Sequence, residues 1–305
     1  MKAVRLQGYG GIDQLVYEEA PDPIPGPGEV LVRVKATSIN PLDWKVRTGM
    51  MKDIMPIKFP FVLGSDIAGT VEAVGSGVTA FKAGDRVVGV AKSGSYAQLA
   101  VAPESSLVPL PAGLDETDAA ALPVIGMTGA ELVKTALEVK PGERLLVTGA
   151  LGGVGRVAVQ IAAADGVEVW AGVRGSQAKE AGELPAKGVL SLDDEAAMKA
   201  AAGSFDAIVD TLGGKIAAST LSLLREGGRL ATVVPPPPEV PADLKVTAKP
   251  HFMSPDTKIL ARLVKMQSEK KLSLPKVEKL PLQQAGEGHR LIQDRKAEKI
   301  VLVVD

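Results

Sequence analysis

The part of the sequence that points most directly to chemistry is a glycine-rich segment, Ala150-Leu151-Gly152-Gly153-Val154-Gly155. It follows a predicted strand, Arg144–Thr148, and opens a predicted helix. In such a corner Gly152 lets the backbone approach a pyrophosphate, Gly155 lets helix and strand pack closely, and the helix N-terminus presents free N–H groups to the phosphates. Ala150 replaces the first glycine of the strict pattern. The segment predicts a dinucleotide site; the alternative is an ordinary corner whose glycines serve packing.

The residues around the next predicted strand, 167–173, distinguish NADP from NAD. An NAD site places an acid near the end of this strand to bind the ribose hydroxyls, whereas Glu168 lies inside the predicted strand. Arg174 ends it, and Ser176 and Lys179 follow. Because a guanidinium fork suits a phosphate, the pattern favours NADPH and makes Arg174, Ser176 and Lys179 candidate cofactor ligands. The alternative for Arg174 is a solvated surface residue.

Two regions with different predicted secondary structure surround the glycine-rich segment. Before residue 115, short strands separated by Gly and Pro turns predict a β-barrel-like unit, with strands at 30–34, 69–74 and 85–90. After it, apolar strands alternate with helices and predict a parallel sheet covered on both faces, with strands at 144–148, 167–173, 205–210 and 229–234. A last strand, 299–304, suggests that the C-terminus returns to the first domain.

Composition excludes several classes of site. The chain has no cysteine, which excludes disulfides, thiolate metal sites and a cysteine nucleophile, and its two histidines disfavour a histidine metal cage. A formal net charge of -1 offers no basic excess for nucleic acid or anionic lipid. The N-terminus lacks the apolar region of a signal peptide, and no apolar run reaches about 18 residues. We therefore expect a cytoplasmic protein without nucleic-acid or membrane partners.

Several segments together resemble the zinc-free quinone oxidoreductases (zeta-crystallin-like) of the medium-chain dehydrogenase/reductase superfamily. Their order and spacing match that family over nearly the whole chain; they include Pro27-Gly28-Glu29-Val30-Leu31-Val32, Asn40-Pro41-Leu42-Asp43-Trp44-Lys45, Gly64-Ser65-Asp66-Ile67-Ala68-Gly69, Gly84-Asp85-Arg86-Val87, Gly94-Ser95-Tyr96-Ala97, Asp210-Thr211-Leu212-Gly213-Gly214 and Lys299-Ile300-Val301-Leu302. The resemblance implies an α/β fold in which a doubly wound Rossmann domain, 122–251, is inserted in a GroES-like β-barrel-type catalytic domain, 1–121 and 252–305. It also implies a homodimer.

The zinc-dependent relatives differ from this chain at their metal ligands. They carry a cysteine near Asn40, Gly-His-Glu where this chain has Gly64-Ser65-Asp66, and a four-cysteine lobe where this chain passes directly to residues 91–95. Without those ligands no Lewis acid is available to polarise an alcohol, and we expect no metal site. A reduced nicotinamide transfers hydride without a metal to an acceptor that is already electron-poor. The resemblance therefore implies NADPH-dependent reduction of a quinone or an α,β-unsaturated carbonyl.

Two other functions stay open from the sequence. One is a catalytically idle NADPH-binding or interaction protein, because the fold alone does not prove turnover. The other is an enoyl-thioester reductase. That function would need a basic surface to bind the phosphopantetheine or nucleotide of its carrier, and the sequence has no strong basic cluster.

Family position indicates three candidate catalytic residues. Asn40 offers an amide N–H to the substrate oxygen or the nicotinamide, or caps an Asn-Pro turn. Lys45 stabilises an enolate or donates a proton, or is a solvated lysine. Thr128, at a predicted helix start, bonds the nicotinamide ribose or carboxamide, or simply caps the helix. We expect Asp43 to be structural and to pair with an arginine, and Tyr96 to wall an apolar pocket or to belong to the core.

The resemblance also adds residues to the cofactor site. Lys299 would close over the nicotinamide end, its alternative being an edge-strand charge. His251 lies in a loop that would cover the cofactor, its alternative being an exposed loop residue, and we do not expect it to be catalytic. The remaining implied cofactor contacts come from Leu212, Val233, Val234 and Phe252.

Overall fold

The computed structural model describes residues 1–92 and 94–305. Ser93, in the segment that stands in place of the four-cysteine lobe, lies outside the described residues. The chain forms two compact units, the first from Met1–Ile125 and Pro255–Asp305 and the second from Gly126–Ser254. The sequence-based limits, 1–121 with 252–305 and 122–251, differ from these by a few residues.

The strands of the described residues are β1 (Lys2–Leu6), β2 (Leu15–Glu19), β3 (Glu29–Ile39), β4 (Phe61–Val62), β5 (Asp66–Val74), β6 (Arg86–Val90), β7 (Leu99–Pro103), β8 (Leu107–Pro109), β9 (Arg144–Thr148), β10 (Glu168–Val173), β11 (Gly188–Ser191), β12 (Phe205–Asp210), β13 (Leu224–Thr232), β14 (Thr247–Pro250), β15 (Val277–Pro281) and β16 (Lys299–Val303). The helices are α1 (Pro41–Arg47), α2 (Glu116–Ala119), α3 (Pro123–Glu131), α4 (Gly153–Ala164), α5 (Ala178–Ala181), α6 (Glu195–Ala200), α7 (Gly214–Thr220), α8 (Thr257–Ser268) and α9 (Ala285–Gln293). A π-helical segment, Leu132–Ala136, continues α3.

The second unit is built on a parallel sheet with strand order β11-β10-β9-β12-β13-β14 over the described residues. Its central strand β9 is apolar on both faces, as the sequence predicts. Leu145 and Val147 pack into one buried cluster with α4, whereas Leu146 packs into a second cluster with Ile208. Because successive side chains of a strand point to opposite faces, a continuous apolar strand is covered on both sides. This is the doubly wound Rossmann arrangement.

The main sheet of the first unit is built around the long strand β3, which pairs with β16, β5 and β7. The order is β15-β16-β3-β5-β6-β8 among the described residues, with β7 also paired to β3. The tail strand β16 pairs antiparallel with the end of β3, placing Ile300 opposite Ile39 and Leu302 opposite Thr37. The predicted return of the C-terminus to the first part of the chain is therefore observed, and the start of β16 lies beside the end of β3, just before α1.

One helix begins earlier than the sequence indicated. The prediction placed Thr128 at a helix start, but α3 begins at Pro123 and Thr128 lies inside it. Proline is favourable in the first turn of a helix, because an N–H at that position would have no acceptor within the helix. Capping of a helix N-terminus is thus not the role of Thr128.

The return of the tail strand predicts a specific loss of stability. Leu302 on β16 is fully buried in the first unit's core, so Leu302→Ala should lower the free energy of unfolding by about 2–5 kcal/mol. Ile24→Ala is the matched control, because Ile24 is 88% exposed. Urea unfolding followed by Trp44 fluorescence in a Trp170→Phe background reports the first unit alone; equal effects of the two substitutions would contradict a core position for β16.

Candidate functional site

The glycine-rich corner joins β9 to α4 in the second unit. Gly149 has φ of 65°, a left-handed conformation that favours glycine, and its N–H donates to the carbonyl of Gly172 on β10 at 2.9 Å. The N–H of Gly152 donates to the carbonyl of Gly149 at 2.9 Å and closes the turn. A Cβ on Gly155 would lie 2.3 Å from that same carbonyl oxygen. Glycine at 155 therefore allows α4 to begin directly against the end of β9.

The corner fits the pyrophosphate of a dinucleotide. The first N–H groups of an α-helix have no acceptor within the helix, and Gly152, the N-cap residue of α4, has no side chain to accept from them. These N–H groups and the positive end of the helix dipole favour an anion. Ala150, in the first-glycine position, is fully buried, whereas Gly153 and Val154 are half-buried at the helix start.

Asp210 organises the same edge of the parallel sheet. It is fully buried, and its carboxylate accepts from the Thr148 hydroxyl at 2.7 Å, the Thr232 hydroxyl at 2.6 Å and the Gly213 N–H at 3.0 Å. Thr148 ends β9 and Thr232 ends β13. One carboxylate thus ties together the carboxyl ends of β9, β12 and β13, which is where open parallel sheets bind ligands.

Three predicted cofactor contacts lie at this edge. Leu212, just beyond Asp210, is 43% exposed. Val233 and Val234 follow the end of β13, where the Val233 N–H donates to the Asp210 carbonyl at 3.1 Å and the Val234 N–H to the Thr232 hydroxyl at 3.0 Å. The structure brings these three residues to the edge that also carries the glycine-rich corner.

Arg174, Ser176 and Lys179 lie past the carboxyl end of β10, and all three are exposed. Because Gly172 of β10 is in register with Thr148 of β9, the residues after Gly172 reach the same edge as the glycine-rich corner. The Arg174 Nε lies 3.4 Å from the Gln177 side-chain oxygen, which leaves most of its guanidinium facing solvent. The arrangement suits a terminal phosphate at this edge.

Glu168 is not positioned to bind a ribose at this edge. It is the first residue of β10, not a middle one as the sequence indicated. Its carboxylate lies 3.9 Å from Arg144 and 3.6 Å from Lys187. It therefore belongs to the amino edge of the sheet.

In the first unit, Asn40 lies in a buried polar cluster at the end of β3. Its Nδ2 donates to Asp66 at 2.7 Å, and its Oδ1 accepts from the Lys299 ammonium at 2.8 Å. Lys299 also donates to the Ile39 carbonyl at 3.2 Å. Asp66 further accepts from the Ser38 hydroxyl. We define Asn40, Asp66, Lys299 and Ser38 as the Asn40 cluster; each of these side chains is at most 3% exposed.

One alternative for this region is wrong. Lys299 is not an edge-strand charge, because β16 lies between β15 and β3 and the Lys299 side chain is buried. The turn-cap alternative for Asn40 has support, because Asn40 is the N-cap residue of α1 and forms a capping box with Asp43. Its side chain also contacts Asp66 and Lys299. Burial lowers the pKa of Lys299 below its ordinary value, while the nearby Asp66 carboxylate opposes that shift.

Asp43 joins this cluster to a buried tyrosine and histidine. Its Oδ2 accepts from the Asn40 backbone N–H at 2.7 Å and from the Tyr96 hydroxyl at 2.9 Å. The Tyr96 oxygen lies 3.2 Å from His289 Nε2. Because the tyrosine proton is committed to Asp43, Nε2 must carry the histidine proton and donate. Tyr96 and His289 are fully buried, so Tyr96 belongs to the core.

Burial shifts the titration of these groups. It raises the pKa of Asp43 from 3.8 to about 6, lowers the pKa of His289 from 6.5 to about 3, and raises the pKa of Tyr96 well above 10. Hydrogen bonds from Asn40 and Tyr96 to the Asp43 carboxylate oppose the first shift.

The expected pairing of Asp43 with an arginine is wrong. The nearest arginine on its helix, Arg47, donates instead to the Gly10 carbonyl at 2.6 Å and to Gln293 at 2.9 Å. Asp43 is structural, but its partners are an amide and a phenol.

The other two candidate catalytic residues are placed differently from Asn40. Lys45, on α1, is half-buried. Thr128, in the second unit, is 7% exposed within α3.

The loop 251–254, predicted to cover the cofactor, is hydrogen-bonded to α3 within the second unit. His251 Nε2 lies 2.9 Å from the Glu131 carboxylate, and the Ser254 N–H donates to the same oxygen at 3.2 Å. His251 is thus half-buried and hydrogen-bonded, so the alternative of an exposed loop residue is wrong. Phe252, between these two contacts, is 61% exposed. Glu131, which the sequence did not single out, is the residue that fixes this loop.

The sequence matches known families of dehydrogenases. The alcohol dehydrogenase GroES-like domain family matches residues 26–112, and the zinc-binding dehydrogenase family matches residues 184–302. The chain is 36% identical over 249 residues to the chloroplast envelope quinone oxidoreductase homolog of Arabidopsis thaliana, covering 78% of this chain and 76% of that protein. The chain belongs to the quinone oxidoreductase (zeta-crystallin-like) family of the medium-chain dehydrogenase/reductase superfamily.

Solved structures of this superfamily match the whole fold. A mycobacterial protein in complex with NADPH gives a TM-score of 0.87 at 29% identity, covering 99% of this chain and 100% of that one. A structure named NAD-dependent alcohol dehydrogenase gives a TM-score of 0.87 at 31% identity, covering 100% of both chains. Since these two names differ in cofactor, the residues at the end of β10 must decide which one this family member prefers.

The second matching family is named for zinc, but the donor set of this chain does not fit that metal. The sequence has no cysteine. Within residues 1–92 and 94–305, no three His, Asp or Glu side chains are grouped to hold a metal. The carboxylate of Asp66 accepts hydrogen bonds from Ser38, Asn40 and the Val124 N–H.

The opposite shifts of Asp43 and His289 predict a pH dependence of stability. The folded state holds the Asp43 proton more tightly than the unfolded state, so this group's stabilising contribution is complete below about pH 4 and is lost as the pH rises to about 6. The His289 contribution has the opposite sign: it is complete above pH 6.5 and is lost as the pH falls towards 3.

Asp43→Asn removes the first contribution and keeps the second. The difference in the free energy of unfolding, wild type minus variant, should therefore increase between pH 6 and pH 4, by at most about 1.4 kcal/mol per pH unit. Urea unfolding at a series of pH values measures it, and Asp53→Asn, at an exposed position, is the control. A difference that does not change with pH would contradict a raised pKa for Asp43.

Proposed function

We propose that the protein is an NADPH-dependent oxidoreductase that transfers hydride, without a metal, to a quinone or an α,β-unsaturated carbonyl. The observation that carries the proposal is the anion-binding corner at the start of α4 together with Arg174 at the same edge of the sheet. Membership in the quinone oxidoreductase family supports the reaction class.

The choice of NADPH over NADH follows from charge at the end of β10. Arg174 and Lys179 are cations with exposed side chains, and Ser176 adds a hydroxyl between them. The acid of this strand, Glu168, lies at the opposite edge. The 2′-phosphate that distinguishes NADP from NAD would therefore meet two cations and a hydrogen-bond donor. The NADPH complex of the mycobacterial relative supports the same choice.

Bound NADPH supplies a hydride from its nicotinamide ring. The residues of the second unit bind and orient the cofactor: the α4 N-terminus holds the pyrophosphate, Leu212, Val233 and Val234 line the edge along which the dinucleotide extends, and Thr128 offers a hydroxyl to the nicotinamide ribose or carboxamide. Phe252, exposed on the loop that Glu131 fastens, covers the cofactor.

Residues of the first unit act on the acceptor. During hydride transfer negative charge develops on an acceptor oxygen, and Asn40 offers that oxygen an amide N–H. Lys45, half-buried on α1, adds a cation that stabilises an enolate or returns a proton. The balance is one hydride and one proton per turnover: a quinone becomes a hydroquinone, or an enone a saturated ketone, and NADPH becomes NADP⁺.

The chemistry of the donor set supports a metal-free reaction. A Lewis acid assists alcohol oxidation by stabilising charge on the alcohol oxygen, whereas a quinone or an enone is already electron-poor. Because the Asp66 carboxylate is occupied by three hydrogen-bond donors, it does not replace a zinc ligand. We assign the catalytic role to 1–121 with 252–305 and the NADP-binding role to 122–251.

The proposal extends to partners and location. The partner is a small-molecule acceptor, and the protein acts as a homodimer in the cytoplasm. In the described part of the chain no helix is long and apolar enough to cross a membrane.

Turnover assays test the reaction class. Purified protein should oxidise NADPH in the presence of 1,4-benzoquinone or a short enone, measured as loss of NADPH absorbance, and should do so at least about tenfold more efficiently than with NADH, because the 2′-phosphate adds charge-assisted hydrogen bonds. Tight NADPH binding without turnover of any quinone, enone or enoyl thioester would instead identify a catalytically idle binding protein. Turnover confined to enoyl thioesters would identify an enoyl-thioester reductase.

The cofactor preference is tested at Arg174. Arg174→Ala should raise the KM for NADPH at least about tenfold, equivalent to about 1.4 kcal/mol, and leave the KM for NADH nearly unchanged. Lys199→Ala removes an exposed cation of the same unit on α6 and should change neither constant. Equal effects of Arg174→Ala on both cofactors would reject its role as the phosphate ligand.

A further inference from the structure

The Asn40 amide is held between a buried cation and a buried anion. Its oxygen faces the Lys299 ammonium at 2.8 Å, and its nitrogen faces the Asp66 carboxylate at 2.7 Å. The ammonium nitrogen and the carboxylate lie 3.8 Å apart. An ammonium only donates hydrogen bonds and an ionised carboxylate only accepts them, so each partner suits one end of the amide and not the other.

A rotated amide would be disfavoured at both ends. Exchange of its oxygen and nitrogen would place an NH₂ group against an ammonium and a carbonyl oxygen against a carboxylate. Hydrogen bonds to charged groups are stronger than those between neutral groups, and both would be lost at once in a site shielded from water. The orientation of the Asn40 side chain is therefore fixed by its two charged neighbours.

The backbone of Asn40 is fixed as well. The Asp43 carboxylate accepts from the Asn40 N–H at 2.7 Å, and the Asp43 N–H donates to the Asn40 carbonyl at 3.0 Å. Asp66 is itself held by Ser38 and by the Val124 N–H at 2.7 Å. The acceptor of the Asn40 amide is thus as rigidly placed as the amide.

One donor of Asn40 is left over. A side-chain NH₂ group has two N–H bonds, and within the described residues Asp66 is the hydrogen-bond acceptor of Nδ2. We propose that Lys299 and Asp66 are positioning residues that orient the Asn40 amide so that its second N–H donates to the substrate oxygen that gains charge during hydride transfer. This inference rests on the proposed function and assigns Lys299 a role apart from the cofactor.

A double-mutant cycle tests whether Lys299 acts through Asn40. Lys299→Met keeps the length of the side chain and removes its donors. With NADPH and duroquinone it should lower kcat at least about tenfold, the loss expected for one transition-state hydrogen bond, and change the Kd for NADPH less than about twofold. In an Asn40→Ala background, Lys299→Met should lower kcat less than about twofold further. Losses that multiply, or a weakened NADPH complex, would show that Lys299 contacts substrate or cofactor directly and overturn the inference.

The chain offers a measurement on the wild-type protein that needs no variant. Asn40 is the single asparagine of the sequence, so labelling with ¹⁵N-asparagine gives one side-chain NH₂ signal. Addition of duroquinone to protein saturated with NADP⁺, a pair that cannot react, should shift one of its two proton resonances and leave the proton bound to Asp66 in place. If neither proton moves, Asn40 does not donate to the substrate.

The same signal separates failure of this inference from failure of the proposed function. Should wild-type protein bind NADPH and reduce no acceptor, the proposed function fails, and the orientation of Asn40 is still measurable. Exchange of its amide protons with solvent should be at least about tenfold faster in Lys299→Met than in wild type, because one of the two charged contacts is gone. Equal exchange rates would overturn the orienting role of Lys299.

Discussion

A charge that is buried must be paired, and the pairing of Lys299 with Asp66 is the constraint on which the first unit depends. Lys299 comes from the last strand, Asp66 from the start of β5, and Asn40 from the end of β3. An unpaired ammonium at this depth would cost several kcal/mol, so the three elements must meet in one register. The antiparallel pairing of β16 with β3 gives that register by bringing Lys299 next to Ile39 and Asn40.

The second unit depends on a different kind of electrostatics. Its anion-binding groups are backbone N–H groups at the start of α4. They are brought to the sheet edge because Gly149 adopts a left-handed conformation and glycine at 155 lets α4 approach the Gly149 carbonyl. Asp210, at the end of β12, accepts hydrogen bonds from the ends of β9 and β13 and holds the three strand ends together. A site built from backbone dipoles and one buried carboxylate is rigid before any ligand arrives, which lowers the entropy cost of binding.

The parts of the molecule that sequence predicts well are those determined by local pattern. The glycine-rich corner, the apolar strand β12 and the helix α8 follow from residues that are neighbours along the chain. The Asn40 cluster does not, because Lys299 and Asn40 are separated by 259 positions and Asn40 and Asp66 by 26. Nothing in a lysine near the end of a chain indicates whether its strand lies at an edge or inside a sheet.

The sequence-based expectations that fail have two origins. Opposite charge predicts an arginine partner for Asp43. In the fold the Tyr96 hydroxyl donates to Asp43 instead. Arg47 donates to backbone and amide oxygens. Thr128 is not at a helix start, because Pro123 begins α3 five residues earlier. The half-buried position of His251 does not follow from its neighbours in sequence, because its partner, Glu131, is 120 positions away. Contacts between residues distant in sequence decide the surroundings of Asp43 and His251, whereas a nearby proline decides where α3 begins.

The central claim is that this chain binds NADPH at the corner between β9 and α4 and prefers it to NADH. Isothermal titration of the purified protein with each cofactor is the most direct measurement of that claim. The account predicts a Kd for NADPH at least about tenfold below that for NADH, because Arg174 and Lys179 meet the additional phosphate. Association of neither cofactor, or a preference for NADH, would contradict it.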